Sequence, residues 1–318
     1  MEEMLIGTYI RQKRQEKGWT LEKLSEGVCD PATLCRIETN ERPPSIRVAK
    51  ALLQKMGLSS APYLALLGKA DILAERMQKE IGDNLILLRR ATEEEKPRVR
   101  EQILKKLDKL ERLGGEDNRF VQQFILNTKA NVGGPEGPYS HGQRLELLME
   151  AIRLTIPGFD LRKISKFRYS MEEVMIVNEI ARTYKRAGNR KEAIGILSQL
   201  LRYLEKSSRD LDKYPRQFCL VAHNCSIYLG LEKEYEKAIE LAQKGRNICI
   251  ETGEYQFLPG FIAVLAECYY FQGNLTQSME YYIQAYCLYK AYGDEINMDT
   301  MQQEMKERLG VELPYSVW

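Results

Sequence analysis

Apolar residues in the first sixty positions recur at the three- and four-residue spacing of short amphipathic helices. A stripe over residues 5–10 ends at Gly18, and glycine commonly follows the last turn of a helix. Thr20 is a good cap for a second helix, Pro31 suits the first position of a third, and Ser45 can cap a fourth. The pattern predicts four short helices, with the second and third joined by a tight turn.

Beyond residue 58 the apolar pattern keeps the helical period, and three segments repeat one another. We number each repeat so that Ala181, Cys225 and Ala266 occupy its eighth position. Small residues then also occupy the twentieth position, and the second repeat has one extra residue in its turn. Small residues at these places let paired helices approach closely. Four earlier apolar stripes lie at residues 69–90, 95–112, 118–131 and 143–156. We predict an all-α protein of about five helix pairs and a carboxy-terminal helix near residues 294–309.

Charge is almost balanced over the chain but is not evenly spread. Residues 5–58 hold ten Lys and Arg against six Asp and Glu, whereas residues 59–318 hold 37 of each sign. The small positive excess is compatible with a domain that faces phosphates. No run approaches the roughly 18 apolar residues of a membrane span, and the amino terminus is unlike a secretory signal. We therefore expect a cytoplasmic protein with no membrane contact.

The chain offers few residues for catalysis or metal binding. Seven cysteines, an odd number with no CxxC pair, stand within apolar helical patterns, and we interpret them as reduced core residues. The two histidines, His141 and His223, have no cysteine or acidic partner at metal-ligand spacing. The sequence predicts neither an enzyme nor a protein with a cofactor.

The string IRQKRQEKGWTLEKLSEGVCDPATLCRIETNERPPS, followed by VAKALLQKMGLS, resembles the XRE family of helix-turn-helix domains, which includes phage repressors and Cro. The resemblance spans residues 5–58 and includes RxxxG, RIE and NxRxP at matching spacings. It implies a lambda-repressor-like fold in which the helix at residues 31–38 enters the major groove of DNA. We place this domain at residues 1–60.

The same resemblance implies roles for individual residues. Arg36 is the candidate for bidentate readout of guanine, and Arg14 and Glu38 match a structural ion pair of the family. Leu21 replaces a glutamine that commonly grips the DNA backbone, which puts that one contact in doubt. The residues expected to face base edges or the adjoining backbone are Pro31, Ala32, Thr33 and Arg36, and those expected near phosphates are Thr20, Arg11, Lys13, Arg42 and Arg47.

The repeats resemble the tetratricopeptide repeat and imply a right-handed α-solenoid over residues 116–318. A helix-turn-helix domain followed by such repeats resembles the peptide-responsive regulators of Gram-positive bacteria, of the Rgg, PlcR and PrgX types. The resemblance implies quorum sensing through a short peptide that binds the repeat groove and alters how a homodimer engages operator DNA. Residues 61–115 would form a linker and a first helix pair. Their charge-rich stretch at 89–112 either contributes to dimerisation or is a solvated helix face.

In such a groove the first helix of each pair supplies the lining at its fifth, ninth and twelfth positions. Asparagine and arginine there can bond the backbone or terminal carboxylate of an extended peptide. The positions that follow from the alignment are Asn178, Arg182, Lys185, Ala222, Ser226, Leu229, Ala263, Glu267 and Tyr270, and we take Asn178, Arg182, Lys185, Ser226, Glu267 and Tyr270 as the peptide site. The seven tyrosines between residues 269 and 292 are expected mostly in the packing between helices.

Two other functions fit the same residues. The groove could dock a protein, as in a regulator controlled by an antirepressor, or the repeats could be a scaffold whose DNA-binding domain is vestigial. The presence of Thr33, Arg36 and the basic flanks weighs against the scaffold. The sequence does not distinguish a peptide from a protein partner. It also leaves open the operator sequence, the dimer interface and whether the protein activates or represses.

Overall fold

The computed structural model describes residues 6–29, 31–40, 44, 46–59, 69–113, 119–132, 138–167, 169–207 and 215–311. This part of the chain contains fifteen α-helices and no strand, which confirms the all-α prediction. Contacts divide the chain into two compact units, one of residues 1–160 with 167–176 and one of residues 161–166 with 177–318. The functional boundaries at residues 60 and 115 stay a prediction.

The first unit begins with four short helices, α1 (Ile6–Glu16), α2 (Leu21–Ser25), α3 (Pro31–Glu38) and α4 (Ile46–Lys55). Their apolar faces meet in one core, in which Leu24 and Leu52 have no exposed surface. Thr20 caps α2 as predicted, because its hydroxyl oxygen accepts a hydrogen bond from the Lys23 amide at 3.2 Å. Ser45, the predicted cap of α4, lies outside the described residues.

Four longer helices follow, α5 (Lys69–Arg90), α6 (Lys96–Arg112), α7 (Arg119–Val132) and α8 (His141–Arg153). They coincide within a few residues with the four predicted apolar stripes. Ile81 of α5 and Ile103 of α6 are completely buried in a core that α7 shares. Ser140 begins α8 with a capping box, in which Ser140 and Gln143 each donate a backbone N–H to the other's side chain.

Helices α1 and α3 cross closely at a glycine. A β-carbon added to Gly7 would lie 1.8 Å from the carbonyl oxygen of Ile37 and 2.5 Å from the Asn40 Oδ1 atom. Because the Ile37 oxygen belongs to the backbone, no side-chain rotation can relieve that overlap. The sequence gives no hint of this contact, since Gly7 lies inside a helical pattern where glycine is otherwise unfavourable.

We expect Gly7→Ala to lower the free energy of unfolding by about 2 kcal/mol, because α1 would have to move away from α3. Gly82→Ala in α5 is the matched control, since a β-carbon added there meets no atom within 4 Å. The free energy of unfolding of the control should rise by about 0.5–1 kcal/mol, because alanine has a higher helix propensity than glycine. Urea unfolding followed by circular dichroism measures both, and a stabilised Gly7→Ala would contradict the close crossing.

Helix α9 (Met171–Arg186) begins in the first unit and ends in the second. Its start is a capping box, in which the Glu173 amide donates to Ser170 Oγ at 3.2 Å and the Ser170 amide donates to Glu173 Oε2 at 2.6 Å. Glu173 has no exposed surface, and its other carboxylate oxygen lacks a hydrogen-bond partner. The first turn of α9 therefore holds a buried acid.

The second unit contains the rest of α9 and six further helices: α10 (Arg190–Ser207), α11 (Pro215–Leu231), α12 (Tyr235–Thr252), α13 (Leu258–Phe271), α14 (Leu275–Ala291) and α15 (Glu295–Leu309). Helix α11 packs on α12 and α13 packs on α14. The small residues predicted at the twentieth positions, Ala193, Ala238 and Ser278, have no exposed surface. The prediction of tetratricopeptide-like helix pairs is confirmed.

The turns within these pairs share one backbone conformation. Gly188 and Gly273 occupy the left-handed region with φ of +87° and +80°, and Lys233 takes the same place in the second pair with φ of +64°. Glycine tolerates this region because it has no β-carbon, whereas a lysine pays a steric cost. The turn of the second pair therefore has the same backbone conformation as the other two turns, although it has lysine in place of glycine.

The seven carboxy-terminal tyrosines are buried to different degrees. Tyr282 and Tyr286 are buried, whereas Tyr292 is 50% exposed and the other four are half-buried. The rings of Tyr269 and Tyr281 stack with centroids 5.6 Å apart. Tyr281 and Tyr289 also pack against the core that contains Tyr282 and Tyr286. The expectation of packing between helices is therefore correct for most of the seven.

All seven cysteines are free thiols, but not all of them are core residues. Cys35 on α3 and Cys287 on α14 are exposed. Cys29 is half-buried. The prediction of core placement holds for the remaining four, which are Cys219, Cys225, Cys249 and Cys268.

Candidate DNA-binding face and ligand groove

Helix α3 turns its apolar side chains into the core and the remaining ones outward. Pro31 and Arg36 are exposed, and Thr33 is half-buried. The backbone of Ala32 belongs to α3, while its side chain lies outside the described residues. An exposed arginine on a helix at the surface of a small helical domain can reach the edges of bases in the major groove.

Three of the predicted phosphate contacts are described, and they differ in their surroundings. Thr20 is exposed at the start of α2, where its hydroxyl already caps the helix. Arg11 is exposed on α1. Lys13 forms an ion pair with Glu16 at 2.7 Å, and that hydrogen bond raises the lysine pKa. The other two, Arg42 and the side chain of Arg47, lie outside the described residues.

The predicted ion pair between Arg14 and Glu38 is present and is bidentate. Arg14 Nε donates to Glu38 Oε1 and Arg14 Nη2 donates to Glu38 Oε2, both at 2.7 Å. The remaining guanidinium nitrogen, Nη1, donates to the carbonyl of Trp19 at 2.7 Å. The side chains are 12% and 4% exposed, so the pair is largely withdrawn from water. It ties α1 to the end of α3 and thereby fixes the position of α3 in the domain.

Two further cations lie beside the predicted phosphate contacts. The amino groups of Lys17 and Lys23 lie 5.9 Å and 4.8 Å from the ring centroid of Trp19. Both lysines are exposed, and Thr20 stands between them in the sequence. The sequence prediction omitted them because no motif singles them out. A tryptophan flanked by lysines at a helix start would have been the only signal.

The alignment that predicted the groove is off by one residue in the second repeat. Lys233 follows Ser226 by seven residues, as Gly188 follows Ala181, so Ser226 and not Cys225 holds the eighth position. Ser226 has no exposed surface, and its hydroxyl donates to the carbonyl of His223 at 2.9 Å. The prediction that Ser226 lines a groove is wrong for this reason, as it is for the two other α11 positions, which are Ala222 and Leu229.

The corrected alignment places His223, Ile227 and Gly230 on the outward face of α11, and all three are half-buried. His223 packs on α13, because a β-carbon added to Gly260 would lie 2.4 Å from the His223 Nε2 atom. Burial lowers the pKa of His223 to about 4. The imidazole is therefore neutral near pH 7 and contributes hydrogen-bonding capacity rather than charge.

The corresponding face of α9 is polar and carries excess positive charge. Glu179 is 5% exposed and accepts hydrogen bonds from Arg182 at 2.7 Å and Arg186 at 3.0 Å. The amino group of Lys185 lies 5.9 Å from the ring centroid of Tyr228 on α11. One carboxylate thus pairs with two arginines, while Lys185 lies over an aromatic ring, and the partly exposed arginines can bind a second anion.

Asn178 connects this face to α11. It is 2% exposed, and its Oδ1 accepts a hydrogen bond from Asn224 Nδ2 at 2.9 Å. Asn224 is half-buried and was not among the predicted residues. The two amides form one unit, in which Asn178 orients Asn224 and Asn224 is the member nearer to solvent.

The two predicted residues on α13 contact α15. Arg308 Nη2 donates to Glu267 at 3.0 Å, and the Arg308 guanidinium lies 5.6 Å from the ring centroid of Tyr270. Arg308 Nη1 also donates to the Tyr282 hydroxyl at 2.5 Å. Glu267 and Tyr270 are half-buried, and they share their surface with this arginine.

Comparisons with known proteins bear first on the amino-terminal domain. Residues 10–63 match the helix-turn-helix family model. With the resemblance in sequence and the four-helix core, this identifies the segment as an XRE-type helix-turn-helix domain. No curated protein matches the sequence. Within the described residues, no helix is both long and apolar enough to cross a membrane.

Solved structures are similar over nearly the whole chain. PlcR of Bacillus thuringiensis, in complex with the peptide PapR7 and DNA, has a TM-score of 0.60 and 18% identity, and the match covers 93% of this chain and 98% of PlcR. ComR of S. thermophilus, in complex with DNA and its signalling peptide ComS, has a TM-score of 0.50 and 14% identity, covering 96% and 100%. At such identities the likeness shows the fold: a helix-turn-helix domain followed by tetratricopeptide-like helices.

Proposed function

We propose that the protein is a cytoplasmic transcription regulator that binds operator DNA as a homodimer and responds to a short signalling peptide, as in quorum sensing. The observation that carries the proposal is the presence, on one chain, of an outward-facing Arg36 in a helix-turn-helix domain and a cation-rich face on α9. The peptide-bound and DNA-bound states of PlcR and ComR support it by similarity of fold.

The DNA-binding half of the proposal assigns base readout to Arg36, helped by Pro31, Ala32 and Thr33. A bidentate arginine contact with guanine contributes about 1–3 kcal/mol to discrimination between bases. Lys17 and Lys23 join Thr20, Arg11 and Lys13 as candidates for phosphate contact, together with Arg42 and Arg47. A homodimer is proposed because one domain of this size reads too few base pairs for specificity in a genome.

Arg36→Ala is expected to lower affinity for the specific operator about 10- to 100-fold while leaving binding to unrelated DNA nearly unchanged. Arg11→Ala is the matched control, since a lost phosphate contact should weaken both kinds of binding and reduce the salt dependence by about one ion. Fluorescence anisotropy at two salt concentrations measures both. Parallel losses in the two variants would contradict base readout by Arg36.

The ligand half of the proposal places the peptide against the outward faces of α9, α11 and α13. Asn224, held by Asn178, can bond the peptide backbone, and Arg182 and Lys185 can hold a carboxylate. Glu267 and Tyr270 would contact the other end, next to Arg308. His223 and Ile227 replace the buried α11 positions in this assignment.

Arg182→Ala/Lys185→Ala is expected to weaken peptide binding about tenfold or more, because the variant loses two charge-assisted contacts. Lys191→Ala/Arg202→Ala removes the same charge from exposed positions of α10 and serves as control. Incubation of the full chain with a library of short synthetic peptides, followed by mass spectrometry of those that co-elute, supplies the ligand for titration. Equal affinity of both variants for the selected peptide would contradict the site. Retention of no short peptide would favour a protein partner instead.

A further inference from the structure

Two buried cysteines lie side by side between α11 and α12. The Sγ atoms of Cys219 and Cys249 are 3.4 Å apart, and neither residue has exposed surface. A disulfide requires the sulfur atoms to be about 2.05 Å apart, so closure needs a further approach of roughly 1.4 Å. Cys225 lies on the same helix as Cys219, but its sulfur atom is near the Ser198 hydroxyl oxygen, at 4.0 Å, and not paired with a second thiol in this way.

We propose that Cys219 and Cys249 are a redox modification site, at which a small peroxide closes an intramolecular disulfide between α11 and α12. The proposal is independent of the proposed function, since it concerns the chemistry of the helix pair and not its ligand. The two residues are 30 positions apart in sequence, so the bond would join paired helices across their connection.

The reaction requires one peroxide for each disulfide. A thiolate attacks one peroxide oxygen, the O–O bond breaks, and the sulfur becomes a sulfenic acid. The other oxygen leaves as hydroxide and becomes water by taking the proton that the thiol released. The second thiol attacks that sulfur, the S–S bond forms, and the sulfenic oxygen leaves as water after taking a proton. Two electrons pass from the sulfur atoms to the O–O bond, and two waters are produced.

The two thiols differ in a way that assigns these roles. The hydrogen bond with Cys219 lowers the pKa of Cys249, although burial opposes the effect. The hydrogen bond with Cys249, together with burial, raises the pKa of Cys219. Because the thiolate is the nucleophile, we take Cys249 as the attacking residue and Cys219 as the resolving one, an order that the single variants below test.

The site lies close to helix ends, which gives an oxidant a route to it. Cys219 is in the second turn of α11, which begins at Pro215, and Cys249 is in the last turn of α12, which ends at Thr252. Helix ends open more readily than helix centres. Opening of this end of the pair can expose the thiols while the rest of the unit stays folded.

The test treats the full-length protein with hydrogen peroxide, alkylates the remaining thiols and maps the peptides by mass spectrometry. We expect a peptide pair joined through Cys219 and Cys249, lighter by two hydrogen atoms and separable by a reducing agent. The exposed Cys35 and Cys287 show in the same sample that oxidant has acted. Oxidation of those two, with Cys219 and Cys249 still fully alkylated, would overturn the proposal.

Single variants test the order of events. In Cys219→Ser, Cys249 should accumulate sulfenic acid, which dimedone traps, several-fold more than Cys219 does in Cys249→Ser. Cys225→Ser should leave the cross-link unchanged, since that thiol lies elsewhere on α11. Equal trapping in the first two variants would overturn the assignment of Cys249 as nucleophile. Loss of the cross-link in Cys225→Ser would overturn the site.

Discussion

Replacement of Arg14 by methionine is expected to destabilise the helix-turn-helix domain by about 3–5 kcal/mol. Methionine keeps much of the length and apolar surface of arginine but leaves the Glu38 carboxylate, which is 4% exposed, without its partner. The carbonyl of Trp19 loses a hydrogen bond at the same time. The effect is large because a buried charge without a counter-charge costs more than the intact pair contributes.

Denaturant unfolding followed by Trp19 fluorescence measures this effect, in a Trp318→Phe background that leaves one tryptophan. Lys13→Met, in an exposed ion pair on the same helix, is the control and should change stability little. Arg14→Met/Glu38→Met should recover much of the loss, because it removes both charges. A loss in Arg14→Met no larger than in Lys13→Met would contradict the buried pair.

The second large effect concerns pH. Burial raises the pKa of Glu173 to about 7 from an ordinary value of 4.5. The nearby Thr155 hydroxyl and the hydrogen bond from Ser170 oppose this rise, and the neighbouring Glu172 adds to it. The folded state then binds a proton more tightly than the unfolded state. This contribution to stability is fully present below pH 4.5 and is lost as the pH rises through 7, by about 3 kcal/mol.

Glu173→Gln isolates this contribution, because glutamine keeps an acceptor for the Ser170 amide and stays neutral. We expect the variant to match the wild type near pH 4 and to be more stable at pH 8. The quantity to measure is the difference in free energy of unfolding between Glu173→Gln and the wild type at each pH. His223 acts in the opposite direction, since its lowered pKa makes stability rise between pH 4 and 6.5. A pH-independent difference would show that Glu173 titrates normally.

The helices and their partners could be predicted wherever one local rule decides the outcome. Thr20 caps α2 because a hydroxyl before an apolar stripe has few alternatives, and α3 spans the predicted residues 31–38. The Arg14–Glu38 pair followed from resemblance to a family, since its partners are 24 residues apart. No local pattern could have paired them.

The groove could be predicted only in part, because its residues depend on the alignment of repeats. Lys233 adopts the left-handed conformation that glycine has in the neighbouring turns, and without a glycine there the sequence suggested an extra residue. The resulting shift by one residue moved the predicted positions of α11 to the buried face. Contacts between helices, such as that of Asn224 with Asn178 or of Arg308 with Glu267, need the packed structure.

Capture of fragmented genomic DNA by the purified protein shows whether this chain reads a specific DNA sequence. We expect enrichment of a few sites that share an inverted repeat, and we expect this enrichment to be lost with Arg36→Ala. Their spacing would reflect two recognition helices about one helical turn of DNA apart, or a multiple of it. Uniform capture that declines with salt and does not change in Arg36→Ala would contradict sequence-specific binding and favour a repeat scaffold.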